Sequence, residues 1–236
     1  MKDRFRTSMS KFVVAIDGGA GSGKSTTAKG VARKLQFFYL DTGAMYRAFT
    51  LKYLRAASQQ DEIDLELVKK LLGETAIHLG QEDSETRVYL DKEDVTMAIR
   101  STEVSDFVSQ VSAIPEVREY MVAKQREVAE SKNVVCEGRD IGTVVFPDAQ
   151  VKVFMQADLE TRAKRRLKEL AEKKIQADLD QVVENLEFRD EYDSHRSHSP
   201  LKRADDAIVV DTTNLTIEEE IALVGKIVLE RLESIE

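Results

Sequence analysis

The chain has 236 residues, 42% of them hydrophobic, which is enough for a sizeable core in one large domain or one domain carrying an insertion. Its net charge of -8 weighs against a dedicated nucleic-acid binder, and its single cysteine, Cys136, rules out an internal disulfide framework and suits a reducing compartment. No apolar stretch reaches the length of a bilayer span, and the opening "MKDRFRTSMS" lacks the apolar core of a signal peptide, so a soluble cytoplasmic protein is expected.

The first ten residues carry no motif and are expected to fray. After them come five short apolar runs: Phe12–Ile16, Phe37–Leu40, Val134–Cys136, Val151–Met155 and Ala207–Val210. Such runs, alternating with amphipathic helical patterns, predict buried strands of a parallel sheet covered by helices on both faces, an α/β fold. Residues 61–131 are too long for a single crossover helix. Within them "TAIHLG" and "TRVYLD" alternate as two antiparallel strands do, while "EVSDFVSQVS" and "PEVREYMVAKQREVAE" read as helices, with Pro115 at a first helical turn. This segment is expected to form an inserted subdomain on a core made of residues 11–60 and 132–236. Ile217–Leu232 is an amphipathic C-terminal helix.

The stretch "FVVAIDGGAGSGKSTTAKG" places four glycines directly between a strand and a helical pattern. Gly18-x-x-x-x-Gly23-Lys24-Ser25 matches the P-loop in both spacing and context. Wrapping a polyphosphate requires several backbone N–H groups to converge, hence tight turns with no Cβ in the way, and the following helix aims its N-terminal dipole at the same anion. Lys24 would reach the β- and γ-phosphates, and the Ser25 hydroxyl would ligate Mg²⁺. A nucleoside triphosphate ligand follows.

Neither Asn-Lys-x-Asp nor Asp-x-x-Gly occurs, which weighs against a GTPase switch, and no apolar run ends in the acidic pair of a motor ATPase. A small-molecule kinase remains. If its acceptor is itself a phosphate, no general base is needed, and the obstacle is repulsion between two anions. Arginine forks are the natural remedy. Three groups qualify. In "LDQVVENLEFRDEYDSHR", Val182, Leu186, Arg189, Asp193 and Arg196 share one helical stripe, read either as a solvated face or as the wall of a cleft. In "DLETRAKRRLKEL", Arg162, Arg165 and Arg166 fall on one helical side, read either as an exposed basic face or as a closing lid. In "CEGRDIGT", Arg139 and Asp140 follow a strand, where open α/β sheets place their ligand crevice. Glu137 is there either a Mg²⁺ ligand through water or a loop residue.

Together, "IDGGAGSGKST", "LDTGAMYR", "IRSTEVSDFVSQVSAIPEVR", "EGRDIGTVVFPDA" and "RDEYDSHR" resemble bacterial cytidylate kinases over nearly the whole chain beyond the first ten residues. The resemblance implies a P-loop NTPase-type five-stranded parallel sheet with an inserted nucleotide-monophosphate-binding subdomain and a short helical lid at about 158–178. It implies phosphoryl transfer from ATP, with Mg²⁺, to CMP and dCMP. Gly18, Gly19, Ala20, Gly21, Ser22, Gly23, Lys24, Ser25 and Thr26 would cradle ATP, with "DTTNLT" (211–216) near its base. Thr42, Arg47, Arg139 and Arg196 would contact the acceptor's phosphate region, and Tyr46 would pack near its base. Ser109, Arg118 and Asp140 would read the cytosine edge, and Arg189 and Asp193 would hold the sugar. Lys24 and the lid arginines Arg162, Arg165 and Arg166 would serve catalysis. A monomer is expected, without nucleic-acid polymer or membrane as partner. Other small-molecule kinases, adenylate or shikimate kinase among them, and a nucleotide switch without transfer activity are the alternatives. The P-loop departs from many relatives in reading Gly-Gly at 18–19 where they have Gly-Pro.

Overall fold

The computed structural model describes residues 11–57, 63–82, 85–172 and 176–235. The N-terminal stretch expected to fray, the junction at 58–62 and residues 173–175 of the expected lid lie outside them. The chain runs β1 (Val13–Gly18), α1 (Lys24–Leu35), β2 (Phe38–Asp41) and α2 (Thr42–Ala56). It continues through α3 (Leu65–Gly73), β3 (Ile77–Glu82), β4 (Glu85–Leu90), β5 (Glu93–Asp94), α4 (Thr102–Ser112) and α5 (Pro115–Ala129). Last come β6 (Val134–Gly138), β7 (Val151–Gln156), α6 (Leu159–Glu172), α7 (Leu179–His195), β8 (Ile208–Asp211) and α8 (Ile217–Glu233).

Five strands form one parallel sheet in the order β2-β6-β1-β7-β8, as the apolar runs predict. Successive residues of β1 enter opposite layers, as the strand period requires. Val14 and Ile16 pack with Ala28 and Val31 of α1 and Val224 and Val228 of α8. Val13 and Ala15 face α2 and share one apolar cluster with β4, α4 and α5. Residues between α2 and β6 thus build a second, three-stranded antiparallel sheet, β3-β4-β5, whose buried side chains Val88 and Leu90 continue the core of the first. A third cluster, Ala20, Ala163, Val182 and Leu186, seats α6 and α7 on the P-loop; the Val182 and Leu186 side chains each contribute about 1.5–3 kcal/mol through burial.

One expectation fails in part. Ile208 and Val209, read as buried, are 47% and 38% exposed, because β8 is an edge strand and only Val210 turns into the core. The helix ends follow ordinary capping chemistry. Asp41 caps α2 by accepting from the Ala44 amide, Pro115 opens α5, and Thr216 with Glu219 forms a capping box on α8. Among the described residues no helix is long and apolar enough to cross a membrane.

Candidate active site

The P-loop lies between the end of β1 at Gly18 and the first residue of α1, Lys24. Gly21 and Gly23 adopt φ of 75° and 89°, the left-handed region that side chains avoid. A Cβ on Gly23 would also stand 2.6 Å from a Glu220 carboxylate oxygen. Lys24 donates from Nζ to the Gly19 carbonyl at 3.1 Å and stands 3.9 Å from the Glu137 carboxylate. Burial, reinforced by Arg139, pulls its ammonium from the usual lysine range down to about 8. Ser25 and Thr26 are exposed at the mouth of the loop, and Ser22 is buried beneath it.

Glu137 ends β6 beside this helix start. Its carboxylate accepts from Ser25 Oγ at 2.6 Å and from the Tyr39 hydroxyl at 3.1 Å. The parallel register sets Asp41 opposite Glu137, and burial, then Glu137, raise Asp41 to about 6. Two carboxylates and a hydroxyl are a hard oxygen donor set of the kind Mg²⁺ prefers, and a cation there would relieve the repulsion that raises Asp41. Ser25, Glu137 and Asp41 therefore fit the ion, and of these only Asp41 escaped the sequence reading.

Next to Lys24 the guanidinium groups gather. Arg189 is lowered to about 10 by burial and then by Arg139 and Arg47, and Arg166 adds to the effect. Arg47 is lowered likewise by burial, with Arg166, Arg100 and Arg139 contributing, while Asp41 works in the other direction. Asp193, buried on α7, counters this charge by accepting from Arg139 Nε at 2.7 Å. Burial alone would raise Asp193, but Arg139, Arg196 and Arg189 hold it below the ordinary carboxylate range. Thr42 Oγ1 donates to the Glu137 carbonyl at 2.7 Å, fixing the start of α2 against the end of β6, and Arg47 Nη1 donates to Ser105 Oγ at 2.9 Å. The stripe Arg189–Asp193–Arg196 is thus packed against other charged side chains and is not a solvated face.

Deeper in the hollow, Arg118 pairs with Asp140 and donates to the Ser112 carbonyl at 3.2 Å, and Arg196 stands 3.7 Å from Asp140. The Arg118 guanidinium lies over the Tyr46 ring, 5.5 Å from its centroid. Ser109 is buried on α4, and its carbonyl accepts from Ser112 Oγ at 3.0 Å in the turn that Arg118 also binds. Asp140 opens a π-helical turn, Ile141–Val145, that nothing in the sequence announces. Asp17, at the end of β1, accepts from the Ile141 and Gly142 amides, each at 2.7 Å, so the turn bearing Arg139 and Asp140 is pinned to the P-loop strand. Burial raises Asp17 to about 6.

The three arginines expected in a lid do not act as one side. Arg162 binds Asp190 at 2.5 Å and the Ala20 carbonyl at 3.2 Å. Arg165 is spent behind the P-loop, donating to the Thr212 hydroxyl and carbonyl, the Leu215 carbonyl and the Glu220 carboxylate. Arg166, with Glu169 as its counter-charge at 2.8 Å, adds its charge to those acting on Arg47 and Arg189. A shared helical side put the three together in the sequence, but Arg162 and Arg165 found acceptors on other elements and Arg166 found one three residues on in its own helix. The "DTTNLT" segment meets the P-loop, since Thr212 Oγ1 donates to the Ser22 carbonyl at 3.0 Å.

A strand that ends in a glycine loop at a helix N-terminus, within a parallel sheet in this order, defines a P-loop protein of the kinase type. The cytidylate kinase family profile matches residues 14–230, and the chain belongs to that family. It is 49% identical over 215 residues to the cytidylate kinase of Lactobacillus gasseri, spanning 91% of this chain and 93% of that one. The cytidylate kinase of Chloroherpeton thalassium is 51% identical over 219 residues (91% and 92% of the two chains). That of Caldanaerobacter subterraneus is 53% identical over 207 residues (87% and 89%). A 1.70 Å crystal structure from Chloroflexus aurantiacus shares the fold alone, at 13% identity and a TM-score of 0.50, covering 97% of this chain and 99% of its own.

Proposed function

We propose that this protein transfers the γ-phosphoryl group of ATP to CMP and dCMP, giving ADP with CDP or dCDP. Membership of the cytidylate kinase family supports the reaction, and the observation that carries the mechanism is the cluster of Lys24, Arg47, Arg139 and Arg189, each depressed by burial or by its neighbours' charge except Arg139, which Asp193 sustains. Cations held this close are costly without an anion and are suited to two anions brought nearly into contact. The triphosphate takes the backbone N–H groups of residues 18–26, and the acceptor's phosphate takes Arg47 and Arg139, with Thr42 at the edge. Arg189, expected at the sugar, joins them because Arg139 and Arg47 act on it, and Arg196, expected at the phosphate, stands instead beside Asp140. The base meets Ser109, Arg118 and Asp140, and the sugar meets Asp193.

The acceptor oxygen is already anionic, so none of these side chains has to remove a proton. Their task is positioning and charge neutralisation. Ser25, Glu137 and Asp41 would hold Mg²⁺, which would supply charge neutralisation to the triphosphate. Lys24, freed from the Gly19 carbonyl, follows the transferring group, and Arg166 approaches from α6. Residues 61–131 act as the acceptor-holding insert and 158–178 as the lid, and their closure excludes water that would otherwise be phosphorylated.

A coupled assay offering AMP, GMP, UMP, CMP, dCMP and shikimate with MgATP tests this. CMP and dCMP should be strongly preferred, and preference for any other acceptor overturns the assignment.

A further inference from the structure

Two charged side chains hold the π-helical turn from opposite ends. Its first amides, those of Ile141 and Gly142, donate to Asp17 at the end of β1. Its last carbonyls, those of Val144 and Val145, accept from Arg126 of α5, from Nη2 at 2.8 Å and from Nε at 2.9 Å. A short helical turn has no internal partners for such terminal groups; a carboxylate suits the amides and a guanidinium fork suits two successive carbonyls. Within the turn, the Asp140 carbonyl accepts from the Val144 and Val145 amides, and the Ile141 carbonyl accepts from the Phe146 amide. Arg139 and Asp140 thus lead into a piece of backbone that is fixed at both of its ends.

Arg126 matters because of where else α5 touches this segment. Eight residues earlier, about 12 Å back along the helix, Arg118 pairs with Asp140. Between the two arginines, Met121 shares one apolar cluster with Ile141 and Val145 of the turn. Apolar contact is non-directional and does not fix how one surface is turned on another, and a lone ion pair leaves a pivot. A second tether two helical turns away, made of two hydrogen bonds, removes that freedom. Arg126 is itself exposed on α5, so the core does not depend on its burial. We propose that Arg126 is a positioning residue for the acceptor pocket: its fork on the Val144 and Val145 carbonyls fixes α5 against the turn and so holds Arg118, Arg139 and Asp140 in the geometry that meets the nucleotide. The role rests on the reading of the acceptor as a cytidine monophosphate. Arg126 need not touch that nucleotide and has no part in ATP binding.

The test compares wild type with Arg126→Met and Arg126→Lys, by steady-state kinetics in both substrates and by thermal unfolding without nucleotide. Arg126→Met keeps the aliphatic stem and removes both donors. It should unfold within a few degrees of wild type, because the lost bonds lie at the surface. Its KM for CMP should rise about tenfold, the effect of losing charge-assisted hydrogen bonds, with the KM for ATP unchanged. Arg126→Lys keeps the charge but not the fork, and should lose less, about threefold in the KM for CMP. A folded Arg126→Met protein that keeps its KM for CMP overturns the role, and so does one whose KM values for CMP and ATP rise by the same factor, as a merely structural residue would produce. Should Arg126→Met not fold, Arg126→Lys decides: a raised KM for CMP alone supports the role, and wild-type KM values overturn it. Each of these results in an active enzyme concerns only this role. Wild type that phosphorylates no cytidine monophosphate overturns the function and the role with it.

Discussion

Lys24 is the group whose behaviour the structure makes most measurable. In the free protein its pKa stands near 8, against 10.5 for an ordinary lysine, through burial and then Arg139. A bound triphosphate supplies the opposite charge and returns the ammonium toward its usual range. Binding must then take up about half a proton at pH 8 and about 0.9 at pH 9, and ATP affinity must fall about tenfold from pH 7 to pH 9. The same shift fixes the sign of a stability effect. Because the folded-state pKa lies below the unfolded one, the unfolded chain binds more protons between pH 8 and 10.5. Stability assigned to Lys24 therefore rises across that window, by about 3 kcal/mol. Calorimetric titration of MgATP in buffers of differing ionisation enthalpy reads the uptake directly, with Lys24→Arg and Lys24→Met as controls that cannot show it. Zero uptake in wild type at pH 8–9, or equal uptake in Lys24→Met, refutes the reasoning.

Asp193→Ala should raise the KM for CMP by the equivalent of about 2–5 kcal/mol while leaving the KM for ATP nearly unchanged, because the buried Arg139 loses the carboxylate it binds at 2.7 Å; steady-state kinetics in both substrates check it. Gly23→Ala should cost at least about 1–2 kcal/mol from its left-handed backbone alone, before the contact with Glu220, and should abolish ATP binding. Denaturant unfolding and an ATP titration measure the two losses. Asp41→Asn keeps an acceptor for the Ala44 amide but removes a charge that burial and Glu137 disfavour, so it should raise the melting temperature of the free protein at pH 7.5. That gain should fade below about pH 6, where wild-type Asp41 is itself protonated, and added Mg²⁺ should stabilise wild type more than the variant. Scanning calorimetry across pH, with and without the ion, decides it.

The P-loop was legible because its chemistry is local: the glycines, lysine and serine sit at fixed spacing between a strand and a helix. The α7 stripe was legible for a related reason, since Arg189, Asp193 and Arg196 extend the apolar line of Val182 and Leu186 into the cleft. Other parts depend on contacts that no spacing reveals. Glu220 lies in an acidic run that reads as solvated, yet it is 1% exposed and binds Thr27 and Arg165 behind the P-loop. The π-helical turn after Asp140 exists because Asp17, more than a hundred positions earlier, accepts its first amides. Asp17 and Asp41 did leave a signal, as carboxylates ending apolar strands. The edge exposure of β8 was invisible because strand order is set by crossovers, not by composition.

The central claim concerns where the acceptor's phosphate rests, and a crystal structure with CMP bound reads that most directly. The account predicts the phosphate among the guanidinium groups of Arg47, Arg139 and Arg189, and the cytosine edge on Ser109, Arg118 and Asp140. CMP seated with its phosphate in the P-loop, or with Arg139 still turned to Asp193, Arg47 still on Ser105 and its base elsewhere, contradicts it.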